Sequence, residues 1–385
     1  MSLKRAVLEG LTCTYARLCG KSSREPDVSR IFVLRNNDLG DVMLVTPLLH
    51  VLRKSFPESH IGIGVGSWAT SLLANNPDVD EVITLDAPWH NKTICEVPWN
   101  SPAGLKRALK FIRSSPQIEA LRTGQFTVGI DVLGSPYGSM LMVAAGIPYR
   151  LGVKGYAGGH SACQVALPFD PDAQVGRFAL GFAEKLGATL PEGPVRPRLY
   201  LSSEEQGRAS KRWAEAEDAA LTCRNDTQTD KPLRILVAPG AGFAKKRWPT
   251  EHFAALCQII SDTVPEAIIV VGSEADKPMG ERITAAVPNA KNLCGQVSLR
   301  DSFALTEQAD LALTNSSLMM HVAGAFSTNN AVLLGPAYES ARAHAKQWGY
   351  PETCLVLGPE ANHPAITSPE EAFDEIESAG WLQVD

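Results

Sequence analysis

No apolar run in this chain approaches the roughly 20 residues that a helix needs to cross a bilayer, so nothing in it reads as a membrane span. None of its eight cysteines (Cys13, Cys19, Cys95, Cys163, Cys223, Cys257, Cys294 and Cys354) forms a C-x-x-C pair or has a histidine at zinc-ligand spacing. That excludes the common zinc patterns. A chain of 385 residues does not need covalent staples, and the thiols read as reduced, in a cytoplasmic protein. In that setting a sequon such as Asn91-Lys92-Thr93 means little. Basic excess is also lacking. The net charge is −6, which argues against a nucleic-acid partner. Two glycine signatures of nucleotide sites are absent, the Walker G-x-x-x-x-G-K-[ST] and the dinucleotide G-x-G-x-x-G. Glu9 and Arg17 interrupt the apolar positions of the N-terminus, so it does not read as a signal peptide.

What is present is ordinary soluble composition, 44% hydrophobic and 20% charged, at a length that calls for two domains. Residues 1–29 stand apart as an N-terminal helical segment. Leu3, Val7, Leu11, Tyr15 and Leu18 recur at helical spacing, and residues 1–24 hold five Lys/Arg against one acid, Glu9. Such a helix either packs on the protein's own body or lies on an anionic membrane surface. From residue 30, expected strands at 31–34, 61–65, 82–85 and 126–132 alternate with helices at 42–54, 68–74, 105–112, 139–145 and 178–186. Residues 86–102 are a loop by composition, and the three prolines of 191–200 mark a linker. A polar helix at 203–220 and a polar loop at 221–231 follow. Strands at 234–237, 267–271, 292–293, 311–314 and 331–334 then alternate with helices at 253–260, which Thr250 could cap, 279–287, 298–308, with Ser298 and Asp301 as a capping pair, and 318–325. Two successive β/α sets predict an α/β fold of two Rossmann-like, doubly wound domains, residues 30–200 and 201–385, with a cleft between them.

The strand ends carry the chemistry. Leu34-Arg35-Asn36-Asn37-Asp38-Leu39-Gly40-Asp41 runs from the first strand through a tight turn into a helix. It sets the Asp41 carboxylate at the carboxyl end of a parallel strand, where open α/β sheets bind ligands. In the second half, Pro239-Gly240-Ala241-Gly242 followed by Lys245-Lys246-Arg247 offers close backbone approach and a point charge for a phosphate. Gly272-Ser273-Glu274-Ala275-Asp276 offers a carboxylate for ribose hydroxyls, or simply a charge at a helix start. Thr314-Asn315-Ser316-Ser317 enters a helix that carries His321, and hydroxyls with backbone N–H groups there suit an anion. Gly335-Pro336 turns out of the last expected strand.

Taken in order over roughly residues 30–350, these segments resemble the bacterial heptosyltransferase family, glycosyltransferase family 9. The resemblance rests on Arg35 with Gly40-Asp41-Val42-Met43-Leu44-Val45-Thr46-Pro47, on Asn76-Pro77-Asp78-Val79-Asp80-Glu81-Val82-Ile83, and on Pro239-Gly240-Ala241 through Lys246-Arg247-Trp248-Pro249. Met320-His321-Val322-Ala323 and Gly335-Pro336 complete it. It implies a GT-B arrangement of the two domains and an inverting, metal-independent transfer. The sugar, heptose or a related one, passes from a nucleotide-sugar co-substrate, an ADP-sugar, to a lipopolysaccharide core or related glycan. It implies Asp41 as base, with Arg35, Asp38 and Gly40 on the acceptor side. Gly240, Ala241, Lys246, Ser273, Asp276, Ser316, Ser317, His321 and Gly335 would line the donor side. No cofactor or metal is implied. The partners would be the nucleotide sugar and a lipid-linked glycan acceptor, with peripheral contact at the cytoplasmic face of the inner membrane. One departure stands out. Where the family has an acid and a glycine in its donor loop, this chain has Ser316 and Leu318. A hydroxyl makes weaker polar contacts than a carboxylate, and Leu318 crowds the backbone approach. The alternative reading is therefore a catalytically weak homologue that binds nucleotide or glycan.

Overall fold

The computed structural model describes residues 3–91, 94–224 and 231–383. Lys92 and Thr93 of the sequon, and residues 225–230 of the 221–231 loop, lie outside the described residues. The chain forms two compact units, Met1–Val195 and Arg196–Asp385. The division falls within the proline-rich 191–200 stretch, and hydrogen bonds on either side account for its place. The Val195 carbonyl accepts from Gln174 Nε2 (3.1 Å). Arg196, the next residue, donates to Thr353 Oγ1 (2.8 Å) and to the Pro351 carbonyl (2.5 Å).

The first unit is built on six parallel strands, β1 (Arg30–Leu34), β2 (His60–Val65), β3 (Glu81–Thr84), β4 (Val128–Asp131), β5 (Tyr149–Lys154) and β6 (Val165–Pro168). Their order is β3-β2-β1-β4-β5-β6. Ile31, Phe32, Val33 and Leu34 are all buried, as a strand covered on both faces requires. The order reverses between β1 and β4, so the crevice for ligands opens beyond Leu34 and Asp131, which are in register. The N-terminal helix Leu3–Cys19 belongs to this unit. It packs on helix Pro136–Ala144, with Leu8 in the same apolar cluster as Phe32, Ala108, Ile112 and Met140. The 86–101 loop is anchored by Trp89, which is fully buried between Phe111 (ring centroids 5.5 Å) and Tyr137 (5.4 Å).

The second unit repeats the plan with β7 (Leu233–Ala238), β8 (Glu266–Val270), β9 (Lys291–Asn292), β10 (Leu311–Thr314), β11 (Asn329–Leu333) and β12 (Cys354–Leu357). The order is β12-β11-β10-β7-β8-β9, again parallel, and it reverses between β7 and β10. Helix Ser203–Arg224 docks through Trp213, whose indole N–H donates to the Leu305 carbonyl (3.1 Å).

Local sequence explains several helix starts. Ser101-Pro102, Ser115-Pro116, Ser135-Pro136 and Ser368-Pro369 each place a serine cap before a proline at the first helical position. The hydroxyl accepts a backbone N–H of the first turn, and proline there has no N–H to leave unpaired. Three expectations change. The single helix at 42–54 is two, Leu39–Met43 and Thr46–Ser55, because Pro47 restarts the helix rather than continuing it. The short helix at 68–74 is a 3-10 segment, Ser67–Leu73. Thr250 starts helix Thr250–Thr263 but does not cap it. By contrast, Ser298 and Asp301 form the expected capping box.

Candidate functional site

At the end of β1 the chain makes its last ladder bond through Arg35 N–H to the Gly64 carbonyl (3.0 Å). Asp38 then stands at the N-cap of helix Leu39–Met43, and its carbonyl accepts from the N–H of Asp41 (3.1 Å). Its carboxylate accepts from Asn91 Nδ2 (3.2 Å). Gly40 lies within this short helix, its carbonyl bonded by Leu44 N–H (3.2 Å). Asp41 falls in the first turn, and Arg35 Nη2 donates to its Oδ1 at 2.7 Å. The pair is asymmetric. The Arg35 side chain is 8% exposed and that of Asp41 29%, so the carboxylate is the member that meets solvent.

Asp131 closes β4 on the other side of the strand reversal. Its carboxylate accepts the N–H groups of Gly134 (3.1 Å) and Ser135 (2.7 Å). Burial pushes it up to about 6, against those hydrogen bonds and the nearby Arg35 charge. His90 faces Arg35 as well. Burial, and then that charge, bring its imidazole down to about 4, so it is neutral near pH 7. His90 also has a positive φ of 59°, uncommon for a residue with a Cβ. Arg35 Nε, Asn37 Oδ1 and His90 Nε2 are buried here without a hydrogen-bond partner. Buried polar atoms in that state cluster where proteins bind ligands or waters.

In the second unit Asn315 ties the two sides of the strand reversal together. Its Nδ2 donates to the Pro239 carbonyl after β7 (2.6 Å), and its Oδ1 accepts from Trp248 N–H (2.8 Å). The Gly240 turn is held from the other side by Arg247, whose Nη2 donates to the Ala241 carbonyl (3.2 Å). A Cβ on Gly335 would lie 2.3 Å from the Arg247 carbonyl oxygen, so the turn after β11 can approach the Lys246-Arg247 backbone only with glycine. The Gly335 N–H donates to the Lys246 carbonyl there (3.3 Å). The Lys246 ammonium sits 5.9 Å from the ring centres of both Phe243 and Tyr338. Ser316 is a neighbour of the Tyr338 hydroxyl. Ser317 occupies the N-cap of helix Leu318–Phe326 with no side-chain capping bond.

Two of the expected donor-side residues are engaged locally. The Asp276 carboxylate accepts from the N–H (2.9 Å) and hydroxyl (2.7 Å) of Ser273, the capping box of its own turn. It nevertheless lies against the Gly240 turn, where a glycine Cβ would meet it at 2.8 Å. His321 is buried, with Nδ1 2.6 Å from the Tyr350 hydroxyl. Asp78 and Asp80, which have D-x-D form, contact His50 and Arg53. Among the described residues no three His, Cys, Asp or Glu side chains are grouped to hold a metal ion.

The structure thus gathers Gly240, Ala241, Lys246, Ser316, Ser317, Asp276 and Gly335 at one edge of the second sheet. Arg35, Asp38, Gly40 and Asp41 gather at the matching edge of the first. Asp131, His90, Asn315, Tyr338 and His344 join them without having been singled out. His344 packs on Tyr338 (4.8 Å), and burial, then His321 and Lys246, hold it down at about 4. Asp131 had a signal, an acid closing a strand before Gly-Ser-Pro. Tyr338 and His344 had none, since their place depends on where the last strands fall.

Two doubly wound sheets with polar and glycine-rich loops at each strand reversal define an α/β protein whose ligand sites are expected at those strand ends. Residues 117–375 match the family model described as glycosyltransferase family 9 (heptosyltransferase). The chain is 26% identical over 321 residues to lipopolysaccharide heptosyltransferase 2 of Escherichia coli strain K12, covering 80% of this chain and 83% of that protein. It is 27% identical over 318 residues to lipooligosaccharide heptosyltransferase 2 of Haemophilus influenzae, at the same two coverages. Among solved structures, a family 9 glycosyltransferase of Veillonella parvula superposes with a TM-score of 0.69 at 21% identity, over 93% of this chain and 99% of that one. E. coli heptosyltransferase WaaC with ADP gives 0.65 at 15% identity, over 92% and 98%. The chain belongs to glycosyltransferase family 9 and is a glycosyltransferase.

Proposed function

We propose that this enzyme transfers heptose, or a closely related sugar, from an ADP-sugar to a lipopolysaccharide core or similar lipid-linked glycan. The relatives are lipopolysaccharide and lipooligosaccharide heptosyltransferases, and one structural neighbour was solved with ADP-2-deoxy-2-fluoro heptose. The observation that carries the donor half is the junction of Lys246, Gly335 and the Ser317 helix start around Asn315. It brings a cation, close backbone approach and a helix N-terminus to one sheet edge, the requirements of a diphosphate. Protein groups there would carry the leaving-group charge, so the reading is metal-independent.

In the first unit, Asp41 takes the proton of the acceptor hydroxyl as that oxygen attacks the anomeric carbon from the face opposite the diphosphate, which inverts the centre. The C–O bond to the diphosphate breaks, and its electron pair leaves with the phosphate oxygen. Arg35 orients Asp41 through its 2.7 Å hydrogen bond. Ser316 and Leu318 favour a donor loop with fewer charge-assisted contacts than a carboxylate would make. On this reading the enzyme works in the cytoplasm, where its acceptor would be assembled and where free thiols such as Cys163 and Cys257 stay reduced. A transfer assay with ADP-heptose and a heptose-deficient core acceptor tests the proposal. Transfer that disappears in Asp41→Asn is the expected result. Nucleotide binding without transfer in the unaltered enzyme would favour the alternative, a binding protein.

A further inference from the structure

Two helices of the first unit carry a surface that neither substrate reading uses. In helix Leu3–Cys19, Leu8, Glu9 and Thr12 are buried. The Glu9 carboxylate turns inward to the Ser161 hydroxyl (2.6 Å) and His160 Nδ1 (2.9 Å). Docked this way, the helix shows solvent a stripe of Val7 (55% exposed), Leu11 (45%) and Leu18 (79%), with exposed Arg17 and Lys21 beside it. The neighbouring helix Pro102–Ser114 holds Lys106, Arg107, Lys110 and Arg113 and no acid. Leu105, Lys106, Leu109, Lys110 and Arg113 line an open groove of about 630 Å³ along it. The two helices share a side of the unit. Both pack on helix Pro136–Ala144, Leu8 and Ile112 lie in one cluster, and the Tyr15 phenol feels the charges of Arg113 and Arg122.

Charge decides what can cover this face. The first helix has three Lys/Arg and the second four, against a single acid that points inward, in a chain of net charge −6. Among the described residues of these two helices Arg107 is ion-paired, with Glu96, and on the next helix Arg122 pairs with Glu119. A second copy of the chain would set like charges against each other. A surface that is anionic and apolar at successive depths satisfies both the cations and the exposed leucines, and a bilayer is such a surface. We propose that this face binds an anionic lipid bilayer, with Val7, Leu11 and Leu18 at the acyl boundary and Arg17, Lys21, Lys106, Lys110 and Arg113 on the headgroups. The proposal gives the lipid-linked acceptor a means of delivery, and its test is independent of that reading.

The experiment is co-sedimentation of the full chain with phosphatidylethanolamine–phosphatidylglycerol vesicles and with phosphatidylcholine vesicles, at low and high salt. Binding to the anionic vesicles alone, lost at high salt, is expected. Lys106→Gln/Lys110→Gln/Arg113→Gln should weaken it roughly tenfold or more, and Val7→Ser/Leu11→Ser/Leu18→Ser should weaken it similarly. All six positions are at the surface, so both variants should keep the wild-type thermal midpoint and nucleotide-sugar binding. If the Ser variant misfolds, the charge variant decides alone. Equal binding to both vesicle types, wild-type binding by both variants, or a concentration-dependent dimer with no vesicle binding would each overturn the proposal. Intact vesicle binding with no heptose transfer would leave it standing and count only against the proposed function.

Discussion

In the first unit the chain leaves β1 through Arg35 and reaches the Asp41 carboxylate within two turns. In the second it leaves β7 through Pro239-Gly240-Ala241 and reaches the Lys246 ammonium. The exits are topologically equivalent, because the two sheets share one strand order and both reverse beside this strand. The contents differ in sign and in stiffness. One edge has buried Arg35 between two carboxylates and a neutral histidine. The other has one glycine turn pressed onto the Arg247 backbone and one onto the Asp276 carboxylate, tied by Asn315, with a lysine among aromatic rings. Under the proposed function a repeated scaffold serves two substrates: the fold supplies the place, and the loop residues would supply a proton acceptor in one unit and an anion cradle in the other.

The sharpest way to break this contrast is at Asp41. Asp41→Asn should lower transfer by at least about a hundredfold while leaving ADP-sugar affinity, measured by calorimetry, unchanged. Loss of donor binding instead would dissolve the division of labour. Lys246→Ala should do the converse. Donor affinity should fall about tenfold to a hundredfold, the worth of a charge-assisted contact, and unchanged affinity would contradict the cradle. Asn315→Ala should cost roughly 1–3 kcal/mol of stability in denaturant titration, because the Pro239 carbonyl and Trp248 N–H lose their buried partner. A loss within error would show that water replaces it.

The smallest expected effect is a pair of opposed pH dependences. Glu205 in the second unit is held down at about 2, first by its hydrogen bond to Arg300. Its contribution is full above the ordinary carboxylate value and fades as pH falls from about 4.5 toward 2. Asp131 in the first unit is raised to about 6, so its folded form holds the proton more tightly than the unfolded chain. It therefore withdraws stability as pH climbs from about 4 to 6. The stability deficit of Glu205→Gln should shrink below pH 4, and a deficit constant down to pH 2 would remove the Arg300 explanation.

Periodicity and punctuation in the residues carried much of this. The alternation of apolar runs predicted both sheets, Gly40-Asp41 and Gly240 marked strand exits, and Pro-rich 191–200 marked the division. The four Ser-Pro helix starts were equally local, yet Ser101-Pro102 and Ser135-Pro136 were read as loop and the other two were passed over. Missing from that reading were β5, β6 and β12, whose short runs differ little from loop sequence until a neighbour pairs with them. The site divides the same way. Asp41, Lys246 and Gly335 were legible because strand, turn and chemistry adjoin in sequence. Asp131, His90, Tyr338 and His344 were not, because each is placed by a partner far along the chain. The sequence by itself determined the fold class, the family resemblance and the charged groups at the strand exits, since these depend on neighbours a few residues apart. Only the tertiary structure decided that Arg35 shares its charge between Asp41 and Asp131, and that the N-terminal helix buries Leu8 and Glu9 and turns Val7, Leu11 and Leu18 outward. Electrostatics and burial are sums over everything nearby in space, whatever its distance in sequence.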